Sequence, residues 1–223
     1  MLWGNTQEST SVLAAVNYFH QHNGTVKEIG LCPLEAYGVP NELLPPGVDA
    51  ETGLPLIGAS PDAVVCFEDG RVEAIEVKNH APFGEGGTTR KSRRPGKFVI
   101  RDPGPYQSIA PWHVPQIQLE MLCLGPKCVA ANFMSCSATK GVTIQRIERN
   151  DAYIKKMLEF THIFYRDFVK KGVPPPTDFA AALPGHKEFL EMTLHVAATS
   201  KVIAELSARE IQRSPHNKKL FLD

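Results

Sequence analysis

Two short apolar runs separated by an Asp-Gly pair are the feature that most limits how this chain folds. The runs are 63–67 and 72–77, and Asp69-Gly70 lies between them. An Asp-Gly pair between apolar runs is typical of a β-hairpin whose two-residue turn needs positive φ. With this turn, Glu76 pairs with Ala63 and lies next to Asp62. The hairpin is therefore predicted to bring together two carboxylates that are distant in sequence.

The residues on either side of Val77 add a lysine to this pair of acids. Residues two apart on a strand point to the same face, so Glu76 and Lys78 project together while Val77 points into the core. Two carboxylates with a nearby backbone carbonyl make a hard oxygen site suited to Mg²⁺ or Mn²⁺. A lysine beside them can orient or deprotonate a metal-activated water, or stabilise negative charge on a phosphate. Glu-x-Lys alone usually indicates an exposed ion pair, but the preceding Ser-Pro-Asp favours a site.

The charge balance hides a strong local asymmetry. The chain has 223 residues, with 24 Lys and Arg against 24 Asp and Glu, so its formal net charge is zero. A neutral total argues against a dedicated electrostatic nucleic-acid binder. However, a glycine-rich segment over 83–104 concentrates six basic residues, which are Arg90, Lys91, Arg93, Arg94, Lys97 and Arg101. Such a run is usually a solvated loop, but next to a metal site phosphate contact is the favoured interpretation.

The remaining pattern of helices and strands predicts an α/β fold. Helical spacing is found over 6–22, 111–124 and 151–171, and further strands are expected at 129–136 and 142–148. Asn23-Gly24 is a natural end for the first helix, and Asp151 is expected to cap the third.

A triple proline at 174–176 divides the chain into a core, 1–173, and a C-terminal extension, 174–223. An apolar stripe from Phe189 to Leu206, spaced three and four apart, predicts that this extension is helical.

No apolar run approaches the roughly 18–20 residues that a membrane span needs. The first residues lack the basic start and apolar stretch of a signal peptide. The five cysteines are odd in number and scattered, which favours free thiols in a reducing, intracellular compartment. We therefore expect no membrane partner.

Five short segments, in order, resemble one nuclease family. Gly58-Ala59-Ser60-Pro61-Asp62 followed by Ile75-Glu76-Val77-Lys78 is similar to the PD-(D/E)XK nuclease signature. More narrowly, it resembles the YqaJ-like viral recombinase and lambda exonuclease group of that superfamily. Three further segments match motifs of this group: Trp3-Gly4-Asn5-Thr6-Gln7-Glu8, Pro115-Gln116-Ile117-Gln118-Leu119-Glu120-Met121 and Ile147-Glu148-Arg149-Asn150-Asp151-Ala152-Tyr153. Their order and spacing carry more weight than any single motif.

The resemblance implies a restriction-endonuclease-like core, with a central mixed sheet flanked by helices, and a role for each matched residue. Asp62 and Glu76 would ligate Mg²⁺, or Mn²⁺, with help from the Val77 carbonyl. Lys78 would position or activate the attacking water, and Glu8 would bind or orient a metal-bound water. Gln118 would hold the nucleophile or the lysine, and Gln116, the other glutamine of the motif, would contact the substrate.

The function that follows is metal-dependent hydrolysis of linear duplex DNA, 5′-to-3′ in many relatives, in recombination, repair or viral DNA processing. Two alternatives stay open: an endonuclease or RNA-processing nuclease on the same fold, and a non-catalytic nucleic-acid-binding accessory. Ring-forming relatives also make a homo-oligomer an open expectation. Tyr106 and Trp112 are candidates for base stacking, although core packing is the favoured role for Trp112.

Overall fold

A computed structural model describes residues 2–49, 51, 53–85, 98–100 and 102–211 of the protein. Its helices are α1 (Leu2–His20), α2 (Val114–Cys123), α3 (Asp151–Phe164), α4 (His186–Ala198) and α5 (Ala208–Ile211). Its strands are β1 (Gly24–Lys27), β2 (Cys32–Pro33), β3 (Gly58–Ala59), β4 (Ala63–Phe67), β5 (Val72–His80), β6 (Phe83–Glu85), β7 (Phe98–Ile100), β8 (Cys128–Ser137), β9 (Gly141–Glu148) and β10 (Lys201–Leu206). Short 3₁₀ turns occur at Leu34–Ala36, Asn41–Leu43, Pro111–His113 and Phe179–Ala182, and α3 continues into a π-helical turn at Tyr165–Val169.

A six-stranded sheet in the order β1-β4-β5-β8-β9-β10 forms the centre of the fold. Strands β5 and β8 are parallel, and the other neighbouring pairs in this sheet are antiparallel. A parallel pair needs a long connection, and here that connection includes α2. The predicted α/β class, with a mixed sheet flanked by helices, is therefore confirmed.

The two faces of the sheet bury different helices because alternate residues of each strand point in opposite directions. On one face α1 packs through Ala15 and Phe19 against a cluster that includes Ile75 and Val77. On the other face α2, α3 and α4 pack over a cluster that includes Ala74 and Phe133. Strand β5 therefore has its odd-numbered residues towards α1 and its even-numbered residues towards α2. This places Val77 in the core, as predicted.

The ends of two helices follow from local chemistry. Asn23 has φ 58°, so the asparagine expected to stop α1 does adopt the left-handed conformation. The N-cap of α3 is Asn150, not Asp151 as predicted, because the Asn150 side chain accepts a hydrogen bond from the Tyr153 amide at 2.9 Å. Asp151 lies in the first helical turn, where its charge favours the positive end of the helix dipole.

The C-terminal part differs from the predicted helical extension. Helix α4 ends at Ala198, and β10 pairs antiparallel with β9 as the last strand of the central sheet. The apolar spacing therefore spans two different elements. Val196 faces the core from α4, whereas Ile203 and Leu206 lie on β10. The segment after the triple proline thus completes the sheet. Within the described residues, no helix is both long and apolar enough to cross a membrane.

Candidate active site

The turn between β4 and β5 sets which residue lies opposite Glu76. Phe67 donates its N–H to the Arg71 carbonyl at 3.0 Å, and Gly70 donates to the Phe67 carbonyl at 3.0 Å. The loop therefore has three residues, and Gly70 takes the left-handed conformation, with φ 83°, that closes it. The predicted two-residue turn is wrong by one position. Ile75, not Glu76, pairs with Ala63.

This one-residue difference brings the two acids closer than the predicted register did. Continuing the observed pairing by one residue places Asp62 directly opposite Glu76, whereas the predicted register placed it opposite Val77. A slip of one residue moves every side chain of a strand to the other face of the sheet. Only in the observed register, therefore, do the side chains of Asp62 and Glu76 project from the same face.

Asp62 occupies the position where the β4–β5 ladder ends. Its Oδ2 accepts a hydrogen bond from the Val77 amide at 2.6 Å, in place of the backbone carbonyl that a longer β4 would supply. The N–H and C=O of one residue point to the same side of an antiparallel strand. The Val77 carbonyl therefore lies on this same edge of β5, beside Asp62 and beyond the last paired residue.

The Glu76 carboxylate is held from two directions. It is almost completely buried, at 2 % exposure. Its Oε1 accepts from the Lys78 ammonium and, at 2.7 Å, from Nε2 of Gln116. Lys78 lies two residues along the same strand, and Gln116 reaches the carboxylate from the first turn of α2. The structure thus brings Asp62, Glu76, Lys78 and Gln116 together.

Glu120 is a second buried acid that the sequence did not single out. It is 1 % exposed, one helical turn after Gln116, and accepts from the same Gln116 Nε2 at 2.9 Å. Burial, followed by the charge of Glu76, raises the pKa of Glu120 to about 9. The other oxygen, Oε2, is buried with no hydrogen-bond partner among the described residues. A protonated carboxyl explains this, because its O–H donates and the Glu76 carboxylate is beside it.

Gln118 lies elsewhere. Its Nε2 donates to the Glu148 carbonyl at 3.0 Å, and its Oε1 accepts from the Asn150 amide at 2.9 Å. The side chain is fully buried and joins α2 to the β9–α3 junction. The expectation that Gln118 holds the nucleophile or the lysine is therefore not met by its contacts. Gln116 is the glutamine that reaches the site, through its hydrogen bond to Glu76. Gln118 connects two of the sequence motifs structurally.

Glu8 approaches the site from the opposite face of the sheet. It lies on α1 with an exposed side chain, and its charge acts on Asp62. The pKa of Asp62 is raised to about 6, first by burial, then by the charge of Glu76 and to a smaller extent by that of Glu8. The hydrogen bond from the Val77 amide and the charge of Lys78 act in the opposite direction and lower it. The negative charges of Glu76 and Glu8 therefore both act on Asp62 at this edge of β5, close to Lys78.

Two histidines border Lys78. His80 is on the same face of β5, two residues further on, and His113 precedes α2 with its ring 5.0 Å from that of buried Phe133. Burial, followed by the charge of Lys78, lowers the pKa of His113. Nothing in the local sequence marks His113, because its position depends on where α2 packs.

Two exposed aromatic rings lie near these histidines. Trp112 is 73 % exposed, with its ring centroid 5.8 Å from that of His113, so the expectation that it packs in the core is wrong. Tyr106 is 46 % exposed and its ring lies 4.1 Å from that of His80. Aromatic surfaces of this size therefore flank the charged groups on the α2 face.

The predicted basic segment falls largely outside the described residues. Strands β6 and β7 pair antiparallel at its two ends, with Phe83 opposite Ile100. Arg90, Lys91, Arg93, Arg94, Lys97 and Arg101 all lie outside the part of the chain that the structure describes. Their expected phosphate contact stays a prediction.

The donor set can be compared with what a divalent cation needs. Among the described residues, no group of three or more His, Cys, Asp or Glu side chains is arranged to hold a metal ion. Mg²⁺ is commonly bound by only one or two carboxylates and otherwise by water and substrate oxygens. Asp62, Glu76 and the Val77 carbonyl match that smaller requirement. Burial first, and then the negative charges of Glu76 and Glu8, raise the pKa of Asp62, and a bound cation would offset the part that comes from those charges.

Comparisons with known proteins give no relative for this chain. No protein-family model, no curated protein sequence and no solved structure matches it. Its class is therefore defined by the α/β fold and by the acid, lysine and glutamine cluster on β5 and α2.

Proposed function

We propose that the protein is a Mg²⁺-dependent nuclease with a PD-(D/E)XK-type site, which hydrolyses phosphodiester bonds of linear duplex DNA. The observation that carries the proposal is the pairing at the end of the β4–β5 ladder. There Asp62 binds the Val77 amide and lies opposite Glu76, while Lys78 follows on the same face as Glu76. Acid, acid and lysine on one hairpin suit a reaction in which negative charge develops on a phosphate.

Asp62, Glu76 and the Val77 carbonyl would hold the cation, with Mn²⁺ as a substitute for Mg²⁺. When bound, such a cation makes water more acidic and neutralises charge on the phosphate.

The other residues prepare the site. Gln116 fixes the orientation of Glu76, because its amide binds Glu76 and Glu120 at once. Lys78, which is paired with Glu76 in the structure, would be available as a positive partner for the phosphate if a cation were bound at Glu76. Glu8 adds a carboxylate from α1, and the basic segment is assigned to the DNA backbone.

The preference for a linear duplex rests on the resemblance of five ordered segments and on the exposed aromatic rings beside the site. A 5′-to-3′ exonuclease acting in recombination, repair or viral DNA processing is the specific form of the proposal. An endonuclease or RNA-processing nuclease would share the same acids and lysine. Substrate topology separates these activities, because an exonuclease needs a free end.

The decisive experiment incubates purified protein with end-labelled linear duplex, with and without a 5′ phosphate, in the presence of Mg²⁺. Loss of label from the end, with covalently closed circular DNA untouched, is the expected result. Glu76→Gln and Lys78→Met should abolish cleavage. Glu68→Gln and Lys127→Met are matched controls. Both residues are exposed and lie outside the site, Glu68 in the β4–β5 turn and Lys127 directly before β8. DNA binding without cleavage in any divalent metal would instead support a non-catalytic accessory, and equal cleavage by Glu76→Gln would contradict the assigned roles.

A further inference from the structure

His80 is joined to a buried serine by a short hydrogen bond. Its Nε2 lies 2.7 Å from Oγ of Ser135, on the neighbouring strand β8. The same Oγ accepts a hydrogen bond from the Tyr106 amide, also at 2.7 Å. Ser135 is fully buried, so water cannot serve its hydroxyl. The position of the serine proton therefore determines which nitrogen of His80 carries a proton.

Only one arrangement gives the buried Ser135 hydroxyl both a donor and an acceptor. The Ser135 hydroxyl has one proton, and within the described residues His80 Nε2 is the acceptor available to it. If Nε2 carried a proton instead, the Ser135 hydroxyl would be buried without an acceptor, which is unfavourable. His80 is therefore the tautomer with its proton on Nδ1. Burial also lowers the pKa of His80, although the nearby Asp102 carboxylate opposes this, so the ring favours the neutral form.

The imidazole is fixed in place as well as in tautomer. Its ring lies against that of Tyr106, whose backbone is itself held at both ends: the amide by Ser135, and the carbonyl by Gln145 Nε2 at 2.8 Å. Nδ1 makes no hydrogen bond to any described residue. Within the part of the chain that the structure describes, this rigid donor has no partner, and it lies next to the proposed catalytic groups.

The spacing along β5 places this donor in line with the site. Glu76, Lys78 and His80 project from one face at intervals of about 6.6 Å. His113 interacts electrostatically with both Lys78 and His80, so these groups share one local environment. A neutral N–H donor beside a lysine suits a phosphate oxygen, since hydrogen bonds to an ionised acceptor are the stronger ones.

We propose that His80 donates from Nδ1 to a phosphate oxygen of the nucleic acid, next to the phosphate that Lys78 contacts, and that Ser135 holds the imidazole in the required tautomer. The phosphate contact rests on the proposed nuclease function, whereas the tautomer does not. His80 is a substrate-positioning residue in this arrangement.

The tautomer is tested first, by long-range ¹H–¹⁵N correlation of the histidine rings in labelled full-length protein. The expected spectrum shows His80 protonated at Nδ1, and Ser135→Ala should remove this preference. His80→Asn identifies the signal by its disappearance. Protonation of His80 at Nε2 in the wild-type chain would overturn the proposal.

The phosphate contact is tested with a pair of amide variants. Asn places its NH₂ near the position of Nδ1, and Gln places it near Nε2. The measurement is the Kd for a short 5′-phosphorylated duplex, with Ca²⁺ in place of Mg²⁺. His80→Gln should weaken binding about 10-fold, the loss expected for one hydrogen bond to a charged acceptor, and His80→Asn should retain most of the affinity. His20→Asn is the control, since His20 is exposed at the far end of α1.

The outcomes separate this proposal from the one on which it rests. If wild-type protein binds the duplex and His80→Gln binds equally well, the phosphate contact is wrong and the nuclease proposal stands. If wild-type protein neither binds nor cleaves DNA, the nuclease proposal fails and the contact fails with it. The ring spectrum then still reports whether Ser135 sets the tautomer.

Discussion

Asp62 accepts a hydrogen bond from the backbone amide of Val77 at 2.6 Å, and this contact ends the β4–β5 ladder. The carboxylate thereby has two roles that a substitution can separate. It satisfies a backbone donor that would otherwise lack a strand partner, and it contributes negative charge to a site already crowded with acids. The first role stabilises the fold, whereas the second is unfavourable until a cation is bound.

Asp62→Asn should preserve the fold and remove cleavage. The asparagine oxygen still accepts from Val77, so its free energy of unfolding in urea should equal or exceed that of wild type at pH 7.5. Asp62→Ala loses the acceptor and should be about 1 kcal/mol less stable than Asp62→Asn. Both variants should cleave the duplex at least about 100-fold more slowly, because each lacks a proposed cation ligand. Normal cleavage by Asp62→Asn would show that the carboxylate serves the fold alone.

Substitutions of Gln116 and Gln118, two glutamines of one helix, should separate an effect on cleavage from an effect on stability. Gln118→Ala removes a buried side chain with two backbone partners, so we expect a loss of about 2–3 kcal/mol in unfolding free energy. Gln116 is exposed and bridges Glu76 and Glu120. Gln116→Ala should cost less than about 1 kcal/mol and lower kcat about 10-fold or more.

Active-site titration makes this comparison fair, since cleavage must be expressed per folded molecule. Gln118→Ala should then match wild type in kcat at a temperature where it is fully folded. The opposite pattern, with Gln118→Ala folded but inactive, would return the catalytic role to Gln118.

The sequence predicted the main elements well because their signals are local. Helical spacing identified α1 and α2, and the left-handed Asn23 ended α1 where expected. The hairpin register was harder, since an Asp-Gly pair fits both a two-residue and a three-residue loop. Gly70 alone takes positive φ in this turn, and Asp69 instead accepts from the Arg71 amide at 3.0 Å. One position in the loop then decides which residue lies opposite Glu76.

Other features had no local signal at all. The apolar stripe around Ile203 is compatible with a helix, and it becomes a strand because β9 offers a free edge. The choice between Gln116 and Gln118 depends on the rotation of α2 about its axis, which only packing fixes. Glu120 and His113 join the site for the same reason. These contacts come from tertiary structure, so a motif can place the helix near the strand without telling which side chain reaches it.

The buried acid Glu120 predicts how stability depends on pH. Its pKa rises from an ordinary 4.5 to about 9 on folding, so the folded chain binds this proton more tightly than the unfolded chain does. That contribution is complete below pH 4.5 and is lost as pH rises towards 9. Glu120→Gln keeps the shape without a titrating proton. It should therefore be more stable than wild type, by about 1–2 kcal/mol near pH 8 and by little near pH 5.

Urea unfolding at a series of pH values checks this, with EDTA present so that no divalent cation competes. Glu205→Gln is the matched control, because Glu205 is exposed on β10. Its stability difference from wild type should stay flat over the same range. A flat difference for Glu120→Gln as well would show that Glu120 is already ionised in the folded protein.

Trp112 gives the last prediction, on how the substrate is held. The indole is 73 % exposed next to His113, so its removal should change the free energy of unfolding by less than about 0.5 kcal/mol. Stacking on a nucleobase is worth about 1–3 kcal/mol, so Trp112→Ala should weaken binding of a duplex with an unpaired end about 10-fold, and Trp112→Phe should recover part of the loss. Leu194→Ala, which removes another exposed apolar side chain, should leave the affinity unchanged. Fluorescence anisotropy with Ca²⁺ in place of Mg²⁺ measures these affinities. Equal Kd values for Trp112→Ala and wild type would exclude Trp112 from the DNA path.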